Sequence, residues 1–478
     1  MRLISTRNPA LEVSFKEAVL RSLPGEREGG GLFVPAELAP WEDAAELLDL
    51  PWPERCAEIL FRLLAPEYSR QELAEIVREA FDFPVPLVPV APLAPPAPGL
   101  PGSLVAPEAL EAAEATAVRA AEAPASNGGL FALELFHGPS LAFKDFGARF
   151  LAAVLARLPA RRPRTVLTAT SGDTGAAVAA AFWRRPGCRA AILYPEGRIS
   201  PLQERQLACL GGNVLALAVA GTFDDCQRLV KACFADPALS AELSLTSANS
   251  INVARLLAQV LYYWEASAQL RRLSPGAPGA GPPLIAVPSG NFGNLCAGLY
   301  ARELGLPVAG FVAATNANRT VPDYLDSGSY QPRPGIATLS NAMDVGDPSN
   351  WERIAHLYRR DWDALRRALR WGSLDERSTV ETLRRLWARG YQADPHGAVA
   401  CGVLESVRRP GETGIFLATA HPAKFQAALA ALGLEPDLPP ALLALLDRPL
   451  QREVLPAGEA SLKARLRAFG ESPPAGPR

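Results

Sequence analysis

Residues 165–182 read TVLTATSGDTGAAVAAAF. A run of strand length, rich in β-branched and apolar residues, gives way to a turn of Ser, Gly, Asp and Thr. A helical pattern follows from about Thr174. The same alternation recurs along the chain. LFALELF (130–136) precedes a helical pattern from about Lys144, and AAILY (190–194) precedes one from about Ser200. NVLALAVA (213–220), LIAV (284–287), PVAGFVAA (307–314) and IFLAT (415–419) continue the series. Short continuous apolar runs separated by helices predict parallel sheet buried on both faces. The loop SPGAPGAGPP (274–283) divides this region. The expected fold class is therefore α/β, with two open, mainly parallel subdomains side by side and a site in the cleft where strand ends face one another.

Outside residues 130–440 the rhythm changes. Residues 1–83 read as a small helical domain, with apolar residues at three- and four-residue spacing from Glu12 to Leu23, Glu54 to Leu64 and Arg70 to Phe81. Eight prolines fall between Pro84 and Pro101, too many for a helix or a central strand. Residues 84–129 are thus expected to be a linker or insertion, with an Ala- and Glu-rich helix at 107–123. Residues 441–478 read as a carboxy-terminal extension.

Composition narrows the function. Lys and Arg total 48 against 50 Asp and Glu, which gives no electrostatic reason for a nucleic-acid or anionic-membrane partner. The seven cysteines are scattered, with no C-x-x-C pair. That pattern fits reduced thiols better than a disulfide framework or a metal site. The amino terminus is charged where a signal peptide needs an apolar run, and LAAVLA (151–156) is cut short by Arg157. A cytoplasmic location is expected.

Four loops at the carboxy-terminal ends of predicted strands carry the chemistry. In HGPSLAFKDFGARF (137–150), Lys144 stands beside a helical stripe of Phe143, Phe146, Phe150, Leu151, Val154 and Leu158. The helix dipole and apolar neighbours both disfavour its ammonium form, which suits a nucleophilic amine. A lysine snorkelling along a helix flank would look the same. In TATSGDTGAA (168–177), Gly172 and Gly175 would let backbone approach a ligand, while Ser171 and Thr174 offer hydroxyls at a helix start. Asp173 or Thr174 could equally be a simple helix cap. VPSGNFGNLCAG (287–298) is a second anion cradle, free of Lys and Arg, resting on backbone amides and the helix dipole. It could also be only a tight turn. LATAHPAKF (417–425) offers Thr419 and His421, and a lone histidine there is more often structural than catalytic.

Together these loops resemble the threonine synthase family of tryptophan-synthase-like, fold type II pyridoxal-phosphate enzymes, in its bacterial and fungal branch. LYPEGRISPLQERQL, GTFDDCQRLVK, NSINVARLLAQ, ATNAN, TLSNAMDVGDPSNWER and DPHGAV fall in the family's order with them, and STRN with VSFKEAVLRSLP extends the likeness to the amino terminus. Two departures stand out. GEREGGGLFVP has Gly29 or a neighbour where the family usually has aspartate, and G-P-T is G-P-S, with Ser140 keeping the hydroxyl.

The resemblance implies a pyridoxal 5'-phosphate cofactor held through the Lys144 amine, with its phosphate cradled by Gly290, Asn291, Phe292, Gly293 and Asn294. Thr419 would face the pyridine nitrogen, where a hydroxyl cannot protonate the ring as an aspartate would. Ser171, Asp173 and Thr174 would meet the substrate carboxylate or the cofactor's ring oxygen. Asn249, Ser250, Asn252 and Arg255 would hold the substrate phosphate. The implied reaction converts O-phospho-L-homoserine and water to L-threonine and phosphate. Lys144 removes the α proton, the γ-phosphate leaves, and water adds at Cβ. Two rivals share these residues: a phospho-lyase or dehydratase that releases a keto acid, and a metabolite-binding relative without turnover.

Overall fold

The computed structural model describes residues 1–23, 28–91, 128–273 and 281–471. In the amino-terminal unit, the helices Phe15–Arg21, Trp52–Leu64 and Arg70–Ala80 are joined by a three-stranded antiparallel sheet. Its strands β1 (Arg2–Ser5), β2 (Glu12–Ser14) and β3 (Phe33–Pro35) lie in the order β2-β1-β3. Each is only three or four residues long, too short to display an alternating pattern. The helix expected from Glu12 starts instead at Phe15, because Ser14 forms a capping box. Its hydroxyl accepts the Glu17 N–H, and the Glu17 carboxylate accepts the Ser14 N–H. Ser69 and Glu72 start the helix Arg70–Ala80 in the same way.

The proline-rich segment contributes to the body from its first residues. Leu87–Pro89 forms β4, which pairs antiparallel with β5 (Leu130–Glu134). Pro89 is tolerated because β4 is an edge strand. Residues 92–127 of that segment, with the helix expected at 107–123, lie outside the described residues.

The later strands are β6 (Arg164–Ala169), β7 (Cys188–Pro195), β8 (Val214–Ala220), β9 (Leu245–Ser247), β10 (Leu284–Pro288), β11 (Gly310–Thr315), β12 (Leu369–Ser373), β13 (Gly414–Ala418) and β14 (Arg452–Pro456). They form two sheets. The larger runs β12-β11-β10-β13-β5-β4 and is parallel except for β4. The smaller, β14-β8-β7-β6-β9, is parallel throughout. Every residue of β6, β7, β10 and β13 is buried, as continuous apolar runs covered on both faces require.

The partition between subdomains differs from a simple cut at 274–283. β5 belongs to the larger sheet although it precedes the whole smaller one. The carboxy-terminal segment is no appendage either. β14 pairs with β8, and Leu462, Leu466 and Phe469 of the helix Glu459–Glu471 share a core with Leu217 and Val230. REVLP was unreadable as a strand because only Leu455 of it is buried. β12, a half-exposed edge strand of sequence LRWGS, was missed for the same reason.

Two helices fill the interior. Val253–Leu273 is buried around most of its circumference, and Phe146 of the helix Lys144–Arg157 meets Tyr262 edge-on at 5.1 Å between ring centroids. Arg55 of the amino-terminal unit reaches in to pair with Glu265 and also donates to the carbonyls of Leu47, Leu48 and Leu50. No helix among the described residues is long and apolar enough to cross a membrane. No cluster of potential metal ligands occurs among them, and all seven cysteines are buried free thiols.

Packing is tight where the helix Gly293–Glu303 crosses β11. A Cβ on Gly298 would lie 2.6 Å from Phe311 Cε1 and 2.9 Å from Tyr263 Cζ. Gly298→Ala should cost about 1–3 kcal/mol by overpacking and lower the thermal midpoint by several degrees. Gly281→Ala, where a Cβ meets nothing within 4 Å, is the matched control and should leave the midpoint unchanged.

Candidate active site

Two loops from the larger sheet are zipped together by backbone hydrogen bonds. The Phe143 N–H donates to the Thr419 carbonyl at 2.8 Å, and the His421 N–H donates to the Leu141 carbonyl at 3.0 Å. Ala142 and Ala420 form an antiparallel bridge between them. This pairing delivers Lys144, the first residue of its helix, beside the loop that carries Thr419 and Lys424. The smaller sheet supplies Asp173 from the turn after β6.

These three side chains form one ionic cluster. Asp173 Oδ2 lies 3.4 Å from Lys144 Nζ, and Asp173 Oδ1 lies 2.8 Å from Lys424 Nζ. Gln203 Nε2 also donates to Oδ1 at 3.1 Å. Lys424 donates in addition to the Ser140 carbonyl at 2.7 Å, which Gln206 shares at 3.0 Å. Burial pulls the Lys144 ammonium below the ordinary lysine value; Asp173 opposes that shift, and Lys424 and Arg255 add to it. Burial alone would raise the Asp173 carboxyl, but Lys424 and then Lys144 outweigh it and hold it well below the usual carboxylate range. Asp145, beside Lys144 in sequence, accepts the Ser140 N–H at 2.8 Å, and burial pushes its carboxyl up to about 6.

Asp173 therefore faces two ammonium groups; of its two expected places, the substrate carboxylate or the cofactor's ring oxygen, the first would set like charges together. The glycines of the same turn are also required by internal packing. Gly172 has φ +136°, and a Cβ there would strike the Gln203 side chain at 2.6 Å. A Cβ on Gly175 would strike Thr170 Cγ2 at 2.5 Å, and the Thr170 hydroxyl accepts the N–H groups of both glycines. Ser171 and Thr174 keep hydroxyls without hydrogen-bond partners among the described residues.

The loop after β10 has the shape of an anion cradle. Phe292 adopts φ +60° and caps the helix Gly293–Glu303, so the chain turns sharply where the helix amides emerge. The Asn294 Oδ1 accepts from the hydroxyls of Tyr262 and Tyr263, and its Nδ2 is buried without an acceptor. A donor stranded beside a helix amino terminus fits a bound phosphate oxygen. The Asn291 side chain does not join the cradle, since it is exposed and its Oδ1 accepts from the N–H and hydroxyl of Ser349. Gly290 is required by another part of the protein: a Cβ there would lie 2.6 Å from the Ala342 carbonyl oxygen and 2.8 Å from Met343 Cα. Thr419 is buried, with its carbonyl held by Phe143 and its hydroxyl without a partner among the described residues.

The four residues expected at the substrate phosphate divide. Arg255 is buried in the helix Val253–Leu273 and donates to the Ala248 carbonyl, while its Nε has no partner. Burial, with no carboxylate to offset it, pulls its guanidinium down to about 10. It lies against the Lys144 helix, since a Cβ on Gly147 would be 3.1 Å from Arg255 Nε. Asn249 accepts from the Thr168 hydroxyl, and Ser250 is half-buried. Asn252 must be removed from the set. Its Nδ2 donates to Val19 O, Ser22 Oγ and Ser247 O at 3.0–3.2 Å, and its Oδ1 accepts the Ala254 N–H. Its side-chain groups are spent on bracing the amino-terminal unit at Val19 and Ser22 and on holding its own turn at Ser247 and Ala254.

Sequence reasoning also missed partners. Lys424 stood in the quoted TAHPAKF, and its place between Ala423 and Phe425 was the available signal of burial. His396 Nδ1 donates to Asp394 Oδ2 over 2.6 Å while its Nε2 accepts the Ala342 N–H. His421 is structural, as its Nδ1 accepts the Ala423 N–H and caps the following turn.

A model of pyridoxal-phosphate-dependent enzymes matches residues 111–414. Models of the threonine synthase amino terminus and carboxy-terminal region match residues 2–81 and 397–465. The chain is 44% identical to threonine synthase from Escherichia coli over 97% of its own length and 98% of that protein's. The chain belongs to the threonine synthase family. It is likewise 43% identical to the Haemophilus influenzae threonine synthase, with 98% and 99% of the two chains covered. The crystal structure of the E. coli threonine synthase matches with a TM-score of 0.83, covering 98% of this chain and all of that one. The pyridoxal-phosphate-bound threonine synthase from Brucella melitensis matches with the same score at 33% identity, covering 99% of this chain and all of that one. The fold is thus the fold type II arrangement of pyridoxal-phosphate enzymes, and the chain is a pyridoxal-phosphate-dependent enzyme of the threonine synthase type acting on a small molecule.

Gly290 gives this site a direct check. Gly290→Val drives a side chain into the backbone of 342–343, so the variant should lose thermal stability even after the cofactor is removed. Cofactor retention after dialysis should fall as well. Loss of cofactor with an unchanged midpoint in the stripped protein would mean that the glycine answers to the ligand and not to the neighbouring loop.

Proposed function

We propose that the chain converts O-phospho-L-homoserine and water to L-threonine and phosphate, in the cytoplasm, with Lys144 as the catalytic amine. The observation that carries this reading is an excess of buried positive charge. Lys144, Lys424 and Arg255 converge on a region in which Asp173 is the one strongly acidic carboxyl, Asp145 being shifted to about 6. Buried charge without a counter-ion is costly. A dianionic cofactor phosphate, a substrate phosphate and a substrate carboxylate supply the missing negative charge.

Of the two lysines, Lys144 suits the reactive role. Its side chain is 16% exposed and its amine makes one long contact, whereas Lys424 is 0% exposed with two short ones. Pyridoxal phosphate, when bound, supplies the sink for electrons left at the substrate α carbon. The Lys144 amine takes the α proton, and Asp173 Oδ2 is near enough to stabilise the ammonium so formed. The amides at 290–294 and Asn294 Nδ2 hold the cofactor phosphate. Arg255, with Asn249 and Ser250 near it, binds the phosphate that leaves. Ser171 and Thr174 donate hydroxyl hydrogens to the substrate carboxylate at a helix amino terminus. The Thr419 hydroxyl would hold the pyridine nitrogen without protonating it.

With O-phospho-L-homoserine as substrate, the product assay should yield threonine and phosphate in equal amounts. Release of 2-oxobutanoate and ammonia would make the chain an eliminating enzyme instead. Borohydride reduction and peptide mapping should place the pyridoxyl group on Lys144, and a label on any other lysine contradicts the assignment.

Arg255→Lys keeps the charge but loses the planar fork. It should lower kcat/KM on the order of tenfold or more, from losing roughly 1.5–3 kcal/mol of charged hydrogen bonding, with cofactor absorbance intact. Normal kinetics would exclude the phosphate role, and lost absorbance would move Arg255 to the cofactor or the fold.

A further inference from the structure

One carboxylate shared by two buried lysines is an unusual economy, because a single aspartate cannot neutralise both. The distribution is uneven. Lys424 takes Oδ1 at 2.8 Å, together with Gln203, while Lys144 stands 3.4 Å from Oδ2. Lys424 is fully enclosed, and its other contact is the neutral carbonyl of Ser140, so its charge depends on Asp173. We propose that Lys424 is a positioning residue that claims the charge of Asp173 and thereby leaves the Lys144 amine free to act as a base. The idea rests on Lys144 being the reactive amine.

The electrostatics of the whole surround agree. Lys144 is faced by Asp173 from the helix Asp173–Phe182, by Lys424 from the turn after β13, and by Arg255 from the helix Val253–Leu273. His396 faces Asp173 from the helix Pro395–Val407, and Asp145 is the neighbour on the lysine's own helix, itself facing Lys424 and Arg149. Asp173 is the one group among those facing Lys144 that favours its ammonium; Lys424 and Arg255 oppose it. Without Lys424, a desolvated Asp173 would pair with Lys144 alone and hold a proton on it. The fraction of free amine at neutral pH would fall, and the pH at which the amine becomes reactive would rise.

The arrangement also permits a proton to be accepted. When Lys144 takes the α proton, one C–H bond breaks, one N–H bond forms, and the electron pair passes to the cofactor's sink. The new ammonium then shares Asp173 with Lys424, an association loose enough to be reversed.

The test uses full-length protein with Lys424→Met, Lys424→Gln and Lys424→Arg. The glutamine keeps a hydrogen-bond donor without charge, and the arginine keeps the charge. In protein stripped of cofactor, acylation of Lys144 by acetic anhydride is followed against pH by peptide mass mapping. In the holoenzyme, the acidic limb of kcat and the cofactor's visible absorbance are followed against pH. The methionine and glutamine variants should acylate Lys144 at pH 8 more slowly, on the order of tenfold, with the midpoint and the acidic limb both moved to higher pH. The arginine variant should behave as wild type. Adding Asp173→Asn to Lys424→Gln should abolish the upward displacement. An unmoved midpoint in the glutamine variant, or the same displacement without Asp173, overturns the proposal. Should the methionine chain fail to fold, the glutamine and arginine pair decides alone. A pyridoxyl label found away from Lys144 in the wild type would instead defeat the underlying reading, so the two failures are distinguishable.

Discussion

The backbone pairing of residues 141–143 with 419–421 is the constraint on which the site depends. Each partner is the continuation of a parallel strand, β5 and β13, that are themselves neighbours in the larger sheet. Past the end of the parallel ladder, the two segments bridge antiparallel at Ala142 and Ala420, and Leu141 takes a left-handed φ of +55°. The turn that results launches the helix at Lys144 on one side and the Thr419–Lys424 loop on the other. Neither segment has a reason to hold its path without its partner, because each satisfies the other's backbone groups in a buried place. The lysine, the hydroxyl and the second lysine are thus fixed relative to one another before any ligand arrives.

The smaller sheet completes the charge pattern. Asp173 stands at the start of a helix, where its carboxylate is already favoured by the dipole, and it reaches across to lysines that belong to the other sheet's loops. The pattern is asymmetric by design: three cations against one strong acid in an interior that would not tolerate the imbalance in an empty core. A site tuned to bind two phosphoryl groups and a carboxylate has this character, and a site for a neutral metabolite does not.

Much of this was legible in the sequence, and what was not has definite physical causes. The parallel strands were visible because burial on both faces leaves continuous apolar runs, as in Cys188–Pro195. Edge strands such as β12 and β14 expose most of their residues and carry no such mark. Lys144 could be singled out since its helix displays a local apolar stripe. For Lys424 the flanking Ala423 and Phe425 hinted at burial but not at a role, because its polar partners, Asp173 and Ser140, are more than 200 residues away in sequence. Asn252 misled for the matching reason. An asparagine before a helix start looks like an anion ligand until its donors are seen to reach Val19 and Ser22. The glycines at 172, 175 and 290 answer to packing that sequence could not show, since a side chain or a neighbouring backbone fills the place of a Cβ at each.

Asn252 also explains why the amino-terminal unit belongs to the catalytic body. The NSIN turn, which precedes Arg255 in the chain, is anchored from two directions. Asn252 binds Val19 and Ser22 on one side. On the other, the fully buried Arg353 donates to the carbonyls of Phe33, Ser250 and Ile251 and to the Asn350 side chain. A guanidinium with five donors in a fixed plane is suited to hold several carbonyls at set angles, which a lysine could not do. Residues 348–350 in turn meet the loop after β10, through the Asn350 N–H on the Asn291 carbonyl and through Ser349 on the Asn291 side chain. Arg353 therefore links three separate pieces of chain: the amino-terminal sheet, the turn proposed for the substrate phosphate, and the loop proposed for the cofactor phosphate. The link to the first two is direct, and the link to the third runs through Asn350, whose side chain accepts from Arg353 while its N–H donates to Asn291.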